Sequence, residues 1–256
     1  MTALFQADNL AISFGGIRAV DGVSFDIAKG EVFTIIGPNG AGKTTVFNLI
    51  SRIYDPTEGR LVFEGTDITG TPPHRIAGLG IARTFQNIEL FEHATVLHNL
   101  LLGRHARRGG QNLLAEMLFL PSVRRRELAH REKVEHVIDF LDLQHYRDTL
   151  IVNLPYGARK VVELARALCS EPKLLLLDEP SSGLNTEETE DMAFWIQDIR
   201  NELGITVLMV EHDMSLVSEV SDRVLALNYG RVLALGKPQE VQRHPEVVRA
   251  YLGGEA

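Results

Sequence analysis

The chain has 256 residues, 45% apolar and 23% charged; that is the make-up of a soluble globular protein with ample core, and it excludes disordered, collagen-like and low-complexity classes. Its 26 basic against 34 acidic residues leave a net charge of −8, which argues against a protein that coats nucleic acid, because phosphate backbones select a net basic surface. A single cysteine excludes a disulfide framework and a multi-cysteine zinc site; no run reaches the ~18 apolar residues of a membrane span, and Met1–Asn9 has neither the basic start nor the long apolar stretch of a signal peptide.

Val32–Ile36 is a short β-branched run that reads as a strand, followed by glycine-rich Gly37–Gly42 and a helical pattern over Thr44–Ile53, with Val46, Leu49, Ile50 and Ile53 on one face. Leu61–Glu64, stopped by Gly65, reads as another strand. From about Leu100 to Tyr146 the pattern is helical and charged, with Val134, Val137, Ile138 and Leu141 on one face and Pro121 as an interruption; this is a helical insertion between two halves of an α/β core. A helix is predicted over Lys160–Leu168, and Leu174–Leu177 is a strand buried on both faces. Asn185 or Thr186 caps a helix that runs to about Leu203, with an acidic first turn. Ile205–Val210 is a second buried strand. Arg223–Asn228 and Arg231–Leu235 flank Tyr229-Gly230 as a hairpin, and Pro245–Leu252 closes the chain with a short helix. Cys169 is expected as a small buried hydrophobe and Trp195 as core packing.

Gly37-Pro-Asn-Gly-Ala-Gly-Lys43-Thr44 matches G-x-x-x-x-G-K-[ST] between a strand and a helix. Its glycines let backbone N–H groups converge on phosphate oxygens at a helix N-terminus; Lys43 reaches the β- and γ-phosphates and Thr44 offers a hydroxyl to Mg2+. The leucine strand delivers Asp178 and Glu179 at its C-terminal end, where open α/β sheets bind ligands. Asp178 is placed to contact Mg2+ directly or through water, and Glu179 to act as general base toward an attacking water. Glu211-His212-Asp213 follows the next strand, so an adjacent parallel pairing brings His212 toward the γ-phosphate. Leu154-Pro155-Tyr156-Gly157-Ala158 precedes a helix and by itself reads only as a loop entering it.

Together these segments resemble the nucleotide-binding subunit of an ABC transporter over essentially the whole chain. Gly37–Thr44 resembles the Walker A motif, Leu174–Glu179 the Walker B motif with its glutamate, His212 the switch histidine, Leu154–Ala158 the signature usually written LSGGQ, Gln86 in Arg83-Thr-Phe-Gln-Asn the Q-loop glutamine, and Ser182-Gly-Leu-Asn185 the D-loop. The resemblance implies an α/β P-loop NTPase with a RecA-like, mostly parallel core, an N-terminal antiparallel β region and an inserted α-helical subdomain. It implies a division into residues 1–90 (core, first part), 91–165 (helical subdomain with signature), 166–237 (core, second part) and 238–256 (C-terminal tail). ATP is implied to lie against Phe14, Val20, Asn39, Gly40, Ala41, Gly42, Lys43, Thr44, Thr45 and Gln86, with Tyr156 and Gly157 supplied across a head-to-tail pair of subunits. Mg2+ is implied at Thr44, Gln86 and Asp178; Lys43, Glu179 and His212 are the implied catalytic groups.

Phe14-Gly-Gly-Ile-Arg-Ala-Val20, Gly80–Phe91, Thr95–Leu100 and the stretch from Gly236 to Leu252 look like the LivG-like subunits of branched-chain amino acid importers, although urea and amide importers share these features. The implied partners are a second ATP-binding subunit, identical or not, transmembrane permeases, and indirectly an extracytoplasmic solute-binding protein, with no nucleic acid. The implied location is the cytoplasmic face of a bacterial or archaeal inner membrane. The chain departs from the pattern at Pro155, Tyr156 and Ala158, where serine, glycine and glutamine are usual, and at Asn185, where aspartate is usual. Pro155 cannot give the hydroxyl that serine offers the γ-phosphate. Phe14 replaces a commoner tyrosine and keeps the stacking ring. Arg104, Arg107, Arg108 and Arg124–Arg126 read either as a solvated helix face or as a patch near anionic lipid; Ile88, Leu90 and Phe91 read as core or as an apolar patch for a permease helix. The rival readings are a P-loop small-molecule kinase, a non-transport member of the same ATPase superfamily, and a degenerate cassette that binds ATP without hydrolysing it.

Overall fold

The computed structural model describes residues 3–84, 88–104 and 121–252. They form two compact units, one of Met1–Ile76 with Lys173–Ala256 and one of Ala77–Pro172.

The first unit holds two sheets. β1 (Ala3–Phe14) and β2 (Ile17–Ala28) form a long hairpin, and β4 (Glu58–Phe63) and β5 (Thr66–Asp67) extend it in the order β2-β1-β4-β5. The tight turn is Gly15-Gly16, both at positive φ, which suits the right-handed twist of the flanking strands. Register shifts on either side of Asn9, itself at φ 50°, interrupt the pairing between Ala7 and Leu10. That irregularity breaks the simple alternation that marks a strand in β1, whereas β2 alternates cleanly over Val23–Ile27. The buried face carries Phe5, Leu10, Ile27 and Leu61.

The second sheet of this unit is built on β3 (Val32–Ile36), β7 (Leu174–Asp178), β8 (Thr206–Val210), β9 (Arg223–Asn228) and β10 (Arg231–Gly236), in the order β10-β9-β3-β8-β7. β3, β7 and β8 are buried at every position, as continuous apolar runs in a parallel sheet must be when both faces are covered. β3 pairs in parallel with β8 and β9, and β8 in parallel with β7, so that Asp178 lies beside Val210. β9 and β10 form the expected antiparallel hairpin around Tyr229-Gly230. α1 (Lys43–Ile50), α6 (Thr186–Asn201), α7 (Met214–Val220), α8 (Pro238–Gln242) and α9 (Pro245–Leu252) complete the unit. α1 ends three residues short of the predicted helix: Arg52 takes φ 61°, and Ile53 is exposed instead of continuing the buried face. α6 buries Met192, Ala193, Ile196 and Ile199; Trp195 is only half-buried, a correction to its expected place in the core.

α2 (Pro73–Leu79) links the two units along the chain. The second unit holds β6 (Ile81–Arg83), α3 (Val96–Gly103), α4 (Pro121–Phe140) and α5 (Tyr156–Leu168). Pro121 opens α4, a position where its missing N–H costs nothing. Of the predicted face, Val134, Ile138 and Leu141 are buried and Val137 is half-buried. Asn99, wholly buried, donates to the carbonyls of Phe91 and Thr95 and accepts from the Phe91 N–H, so its amide fixes the loop that leads into α3.

Arg104 is not a surface charge. It is 6% exposed, donates to the Cys169 carbonyl and to Glu171, each at 2.8 Å, and its Nε meets His130 Nδ1 at 3.2 Å. Burial alone would raise the Glu171 carboxyl, but Lys133 and Arg104 outweigh it and hold the group at about 2. Cys169 is buried as expected, and burial pushes its thiol up to about 12. Arg124 and Arg125 are exposed; Arg107 and Arg108, and the side chain of Arg126, lie outside the described residues.

Candidate functional site

The C-terminal ends of β3, β7 and β8 lie side by side, and backbone hydrogen bonds continue past them. The Glu179 N–H donates to the Val210 carbonyl at 2.9 Å, and the Glu211 N–H to the Ile35 carbonyl at 3.3 Å. Gly37–Gly42, Asp178-Glu179 and Glu211-His212 therefore start from one edge of one sheet. Asp178 is buried at that edge, while Glu179 is half-buried in a left-handed conformation, φ 50°. For a side chain larger than glycine this costs about 1–3 kcal/mol and marks a position held by its surroundings. The Val210 carbonyl and the Ser182 N–H, which donates to the Glu179 carbonyl at 3.1 Å, do the holding.

The phosphate loop is fixed from outside. Gly37 and Gly42 both have positive φ, and a Cβ on them would lie 2.3 Å from the Leu227 carbonyl oxygen and 2.5 Å from that of Ala19. The hairpin turn after β9 braces the loop: the Gly230 N–H donates to the Ala41 carbonyl at 2.9 Å, and the Asp21 N–H to the Gly230 carbonyl at 2.8 Å. Lys43 is buried, and its Nζ donates to the carbonyls of Gly37 at 2.7 Å and Pro38 at 3.1 Å. Burial lowers its ammonium pKa, against the charges of Glu179 and Asp178, which raise it; the loop thus holds a cation within electrostatic reach of both carboxylates. The cap of α1 is Gly42, which has no side chain to satisfy the first-turn N–H groups. Such an end is built to take an anion.

Thr44 is exposed at the start of α1, with Thr45 half-buried beside it. The Thr44 hydroxyl and the Asp178 carboxylate are hard oxygen donors of the kind Mg2+ takes. Among the described residues no group of three or more His, Cys, Asp or Glu could hold a metal ion. Asn39 and Gly40 are exposed on the loop, and Ala41 is buried under it. Phe14 is exposed, its ring 5.1 Å edge-on from Tyr54. Val20 is wholly buried, whereas Ile17 on the same strand is exposed. Gln86 lies outside the described residues.

His212 is exposed and its Nδ1 is 3.8 Å from Glu211. Asp213 caps α7, accepting from the N–H groups of Ser215 and Leu216. Asn185 caps α6 in a reciprocal box: its Oδ1 accepts from the Glu188 N–H at 3.0 Å, and Glu188 accepts from the Asn185 N–H at 2.9 Å. The aspartate more usual in this position would accept the same bond. Asn185→Asp is accordingly expected to leave thermal stability nearly unchanged, and Asn185→Ala to lower it by about 1 kcal/mol in a denaturant titration.

In the second unit α5 begins at Tyr156, four residues earlier than predicted. Tyr156, Gly157 and Ala158 are its first turn, with Tyr156 exposed and Gly157 buried, and Pro155 at the cap offers that turn no hydrogen-bonding side chain. Sequence reasoning missed Arg159, which folds back to donate to the carbonyls of Leu154 at 2.9 Å and Val152 at 2.8 Å and so fixes the approach to the helix. Ile88 and Leu90 are half-buried, but Phe91 is 60% exposed. Phe91 heads the loop whose Glu92 and Ala94 carbonyls accept from Val152 and Ile151, beside exposed Leu150 and Val152.

A family model described as ABC transporter matches residues 20–182, and one described as branched-chain amino acid ATP-binding cassette transporter matches residues 231–256. The chain is 40% identical over 250 residues to the high-affinity branched-chain amino acid transport ATP-binding protein BraF of Pseudomonas aeruginosa, covering 98% of each. It is 38% identical, with the same coverage, to the protein of corresponding description, LivG, of Escherichia coli. Among solved structures it is similar to an ATP-binding cassette of an ABC transporter in its ADP conformation, with TM-score 0.86, 33% identity, and 99% of this chain and 100% of that one covered. A nucleotide-free cassette matches with TM-score 0.85 and 34% identity, covering 98% of this chain and 99% of that one.

Proposed function

We propose, for a chain that belongs to the ABC transporter family and is one of its P-loop ATPases, that it drives the import of branched-chain amino acids. The observation that carries the ATPase part is the shared sheet edge: the uncapped helix behind Gly42, buried Lys43, and the Asp178-Glu179 pair all start there. The choice of solute is supported by the full-length similarity to BraF and LivG and by the match over residues 231–256.

In this reading the N–H groups of Gly40 to Thr45 and the Lys43 ammonium hold the β- and γ-phosphates, and Phe14 stacks on the base. Thr44 and Asp178, with Gln86, hold Mg2+, which neutralises phosphate charge when bound. Glu179 takes a proton from water as the water oxygen attacks the γ-phosphorus; the bond to the bridging oxygen breaks and ADP and inorganic phosphate leave. His212 orients that water. Two such cassettes meet head to tail, each ATP also receiving the first turn of the partner's α5, so ATP closes the pair and hydrolysis opens it. Pro155 leaves that turn with one donor fewer than a serine would give, a loss of about 1.5–3 kcal/mol where it is buried and uncompensated.

Among the described residues no helix is long and apolar enough to cross a membrane. On its similarity to BraF the chain is read as peripheral, on the cytoplasmic face of the inner membrane, docked on permeases through the apolar surface of Phe91, Leu150 and Val152. Uptake of labelled leucine, isoleucine and valine by cells with and without the chain tests the assignment. Loss of all three on deletion, restored by the wild-type chain and not by Glu179→Gln, is the expected result. Unchanged amino acid uptake with loss of urea or amide uptake would move the chain to a related importer.

A further inference from the structure

We infer that Glu211 is a positioning residue for hydrolysis: its buried carboxylate ties the loop after β7 to the loop after β8, so that Glu179 and His212 are presented in one fixed geometry. Glu211 is 0% exposed. Its Oε1 accepts from the Ser181 N–H at 2.8 Å, and its Oε2 from the N–H groups of His212 at 2.8 Å and Asp213 at 3.2 Å. Ser181 stands two residues after Glu179, in the segment whose Ser182 N–H closes back on the Glu179 carbonyl. His212 and Asp213 begin the segment that α7 continues, with Asp213 as its cap. A single carboxylate therefore grips both segments by their backbones, one on each oxygen.

The chemistry of the pairing demands a carboxylate. All three partners are donors, and a carboxylate offers acceptors only. The charge is buried but receives three charge-assisted bonds, the compensation without which a buried ion is too costly. Glutamine puts an NH2 group where one of the oxygens was, facing N–H groups that cannot accept. Whichever way the amide turns, either the bond to Ser181 or the pair to His212 and Asp213 is lost, while side-chain volume is kept. The 3.8 Å between Glu211 and His212 Nδ1 is too long for a hydrogen bond, so the grip is on the backbone of the switch residue and not on its ring.

The inference rests on the ATPase reading, and the test keeps the two apart. Steady-state hydrolysis, nucleotide binding and amide exchange are measured for wild type, Glu211→Gln, His212→Ala and the double variant. Glu211→Gln is expected to lower kcat about 10- to 100-fold, with ATP affinity and KM within about twofold of wild type, because the phosphate loop is not touched. The amides of Ser181, His212 or Asp213 are expected to exchange at least about tenfold faster. In the His212→Ala background the further loss from Glu211→Gln is expected to be smaller than in wild type, because the part that acts through His212 is already gone while the part that acts through Glu179 remains. Full multiplication of the two losses, unchanged exchange at these amides, or a wild-type kcat for Glu211→Gln would each overturn the inference. Should Glu211→Gln not yield folded protein, the same cycle run with Glu211→Asp, whose carboxylate falls one methylene short, gives the same discrimination. A wild-type protein that hydrolyses no ATP would instead contradict the ATPase reading itself.

Discussion

Glu179→Gln is expected to lower ATP hydrolysis by about two to four orders of magnitude, the range that a positioned general base contributes. The substitution is nearly isosteric and leaves in place what the structure shows holding the residue, namely its left-handed backbone, the bond to the Val210 carbonyl and the bond from the Ser182 N–H. It also leaves the phosphate loop and Lys43 untouched. Binding should therefore survive while turnover fails, and the protein should accumulate with ATP bound, in the closed pairing that ATP stabilises. Single-turnover phosphate release and retention of labelled ATP on gel filtration read the two halves separately. Hydrolysis at the wild-type rate would remove Glu179 from its role; loss of both binding and hydrolysis would make it a structural residue.

Gly42→Ala should strike binding itself. Gly42 has φ 99°, and an added Cβ would sit 2.5 Å from the Ala19 carbonyl oxygen, with the Gly230 Cα at 3.4 Å on another side. Neither neighbour is the flexible end of a side chain. A left-handed alanine costs about 1–2 kcal/mol and overpacking against backbone about 1–3 kcal/mol, so the loop is displaced by a combined ~2–5 kcal/mol. If that energy is taken from the nucleotide-binding conformation, ATP affinity falls at least about 30-fold. Gly40→Ala is the control. Gly40 also has positive φ, 79°, but nothing lies within 4 Å of a Cβ there, so only the conformational cost applies and the loss should be clearly smaller. Equal effects at the two positions would contradict the account of why the loop holds its shape.

The parts of this site that were legible from sequence are those where local chemistry leaves few options. A β-branched strand, a G-x-x-x-x-G-K-T turn and a helix could lie only in that order, and Leu174–Leu177 could be buried on both faces only inside a parallel sheet. What was not legible depends on partners far away in the chain. Arg104 looks like the other arginines of its segment, and only the fold brings the Cys169 carbonyl and Glu171 to it. Val20 lies on a strand whose bulges shift the register, so that its side chain turns inward. The sequence pattern puts the start of α5 at Lys160 because Pro155 and Gly157 are usually helix breakers, yet a proline at the cap needs no N–H and the helix begins at Tyr156. Glu211 was passed over because a strand-end glutamate has the same local pattern whether it faces solvent or, as here, the backbone of a neighbouring loop.

The claim beneath all of this is that the turn after β3 holds a nucleoside triphosphate by its phosphates. Calorimetric titration of the purified wild-type chain with ATP and Mg2+, alongside Gly42→Ala, tests it most directly. Saturable uptake of one ATP per chain by the wild type, weakened at least about 30-fold in the variant, is the predicted result. No saturable uptake by the wild type, or the same affinity in both proteins, would contradict it.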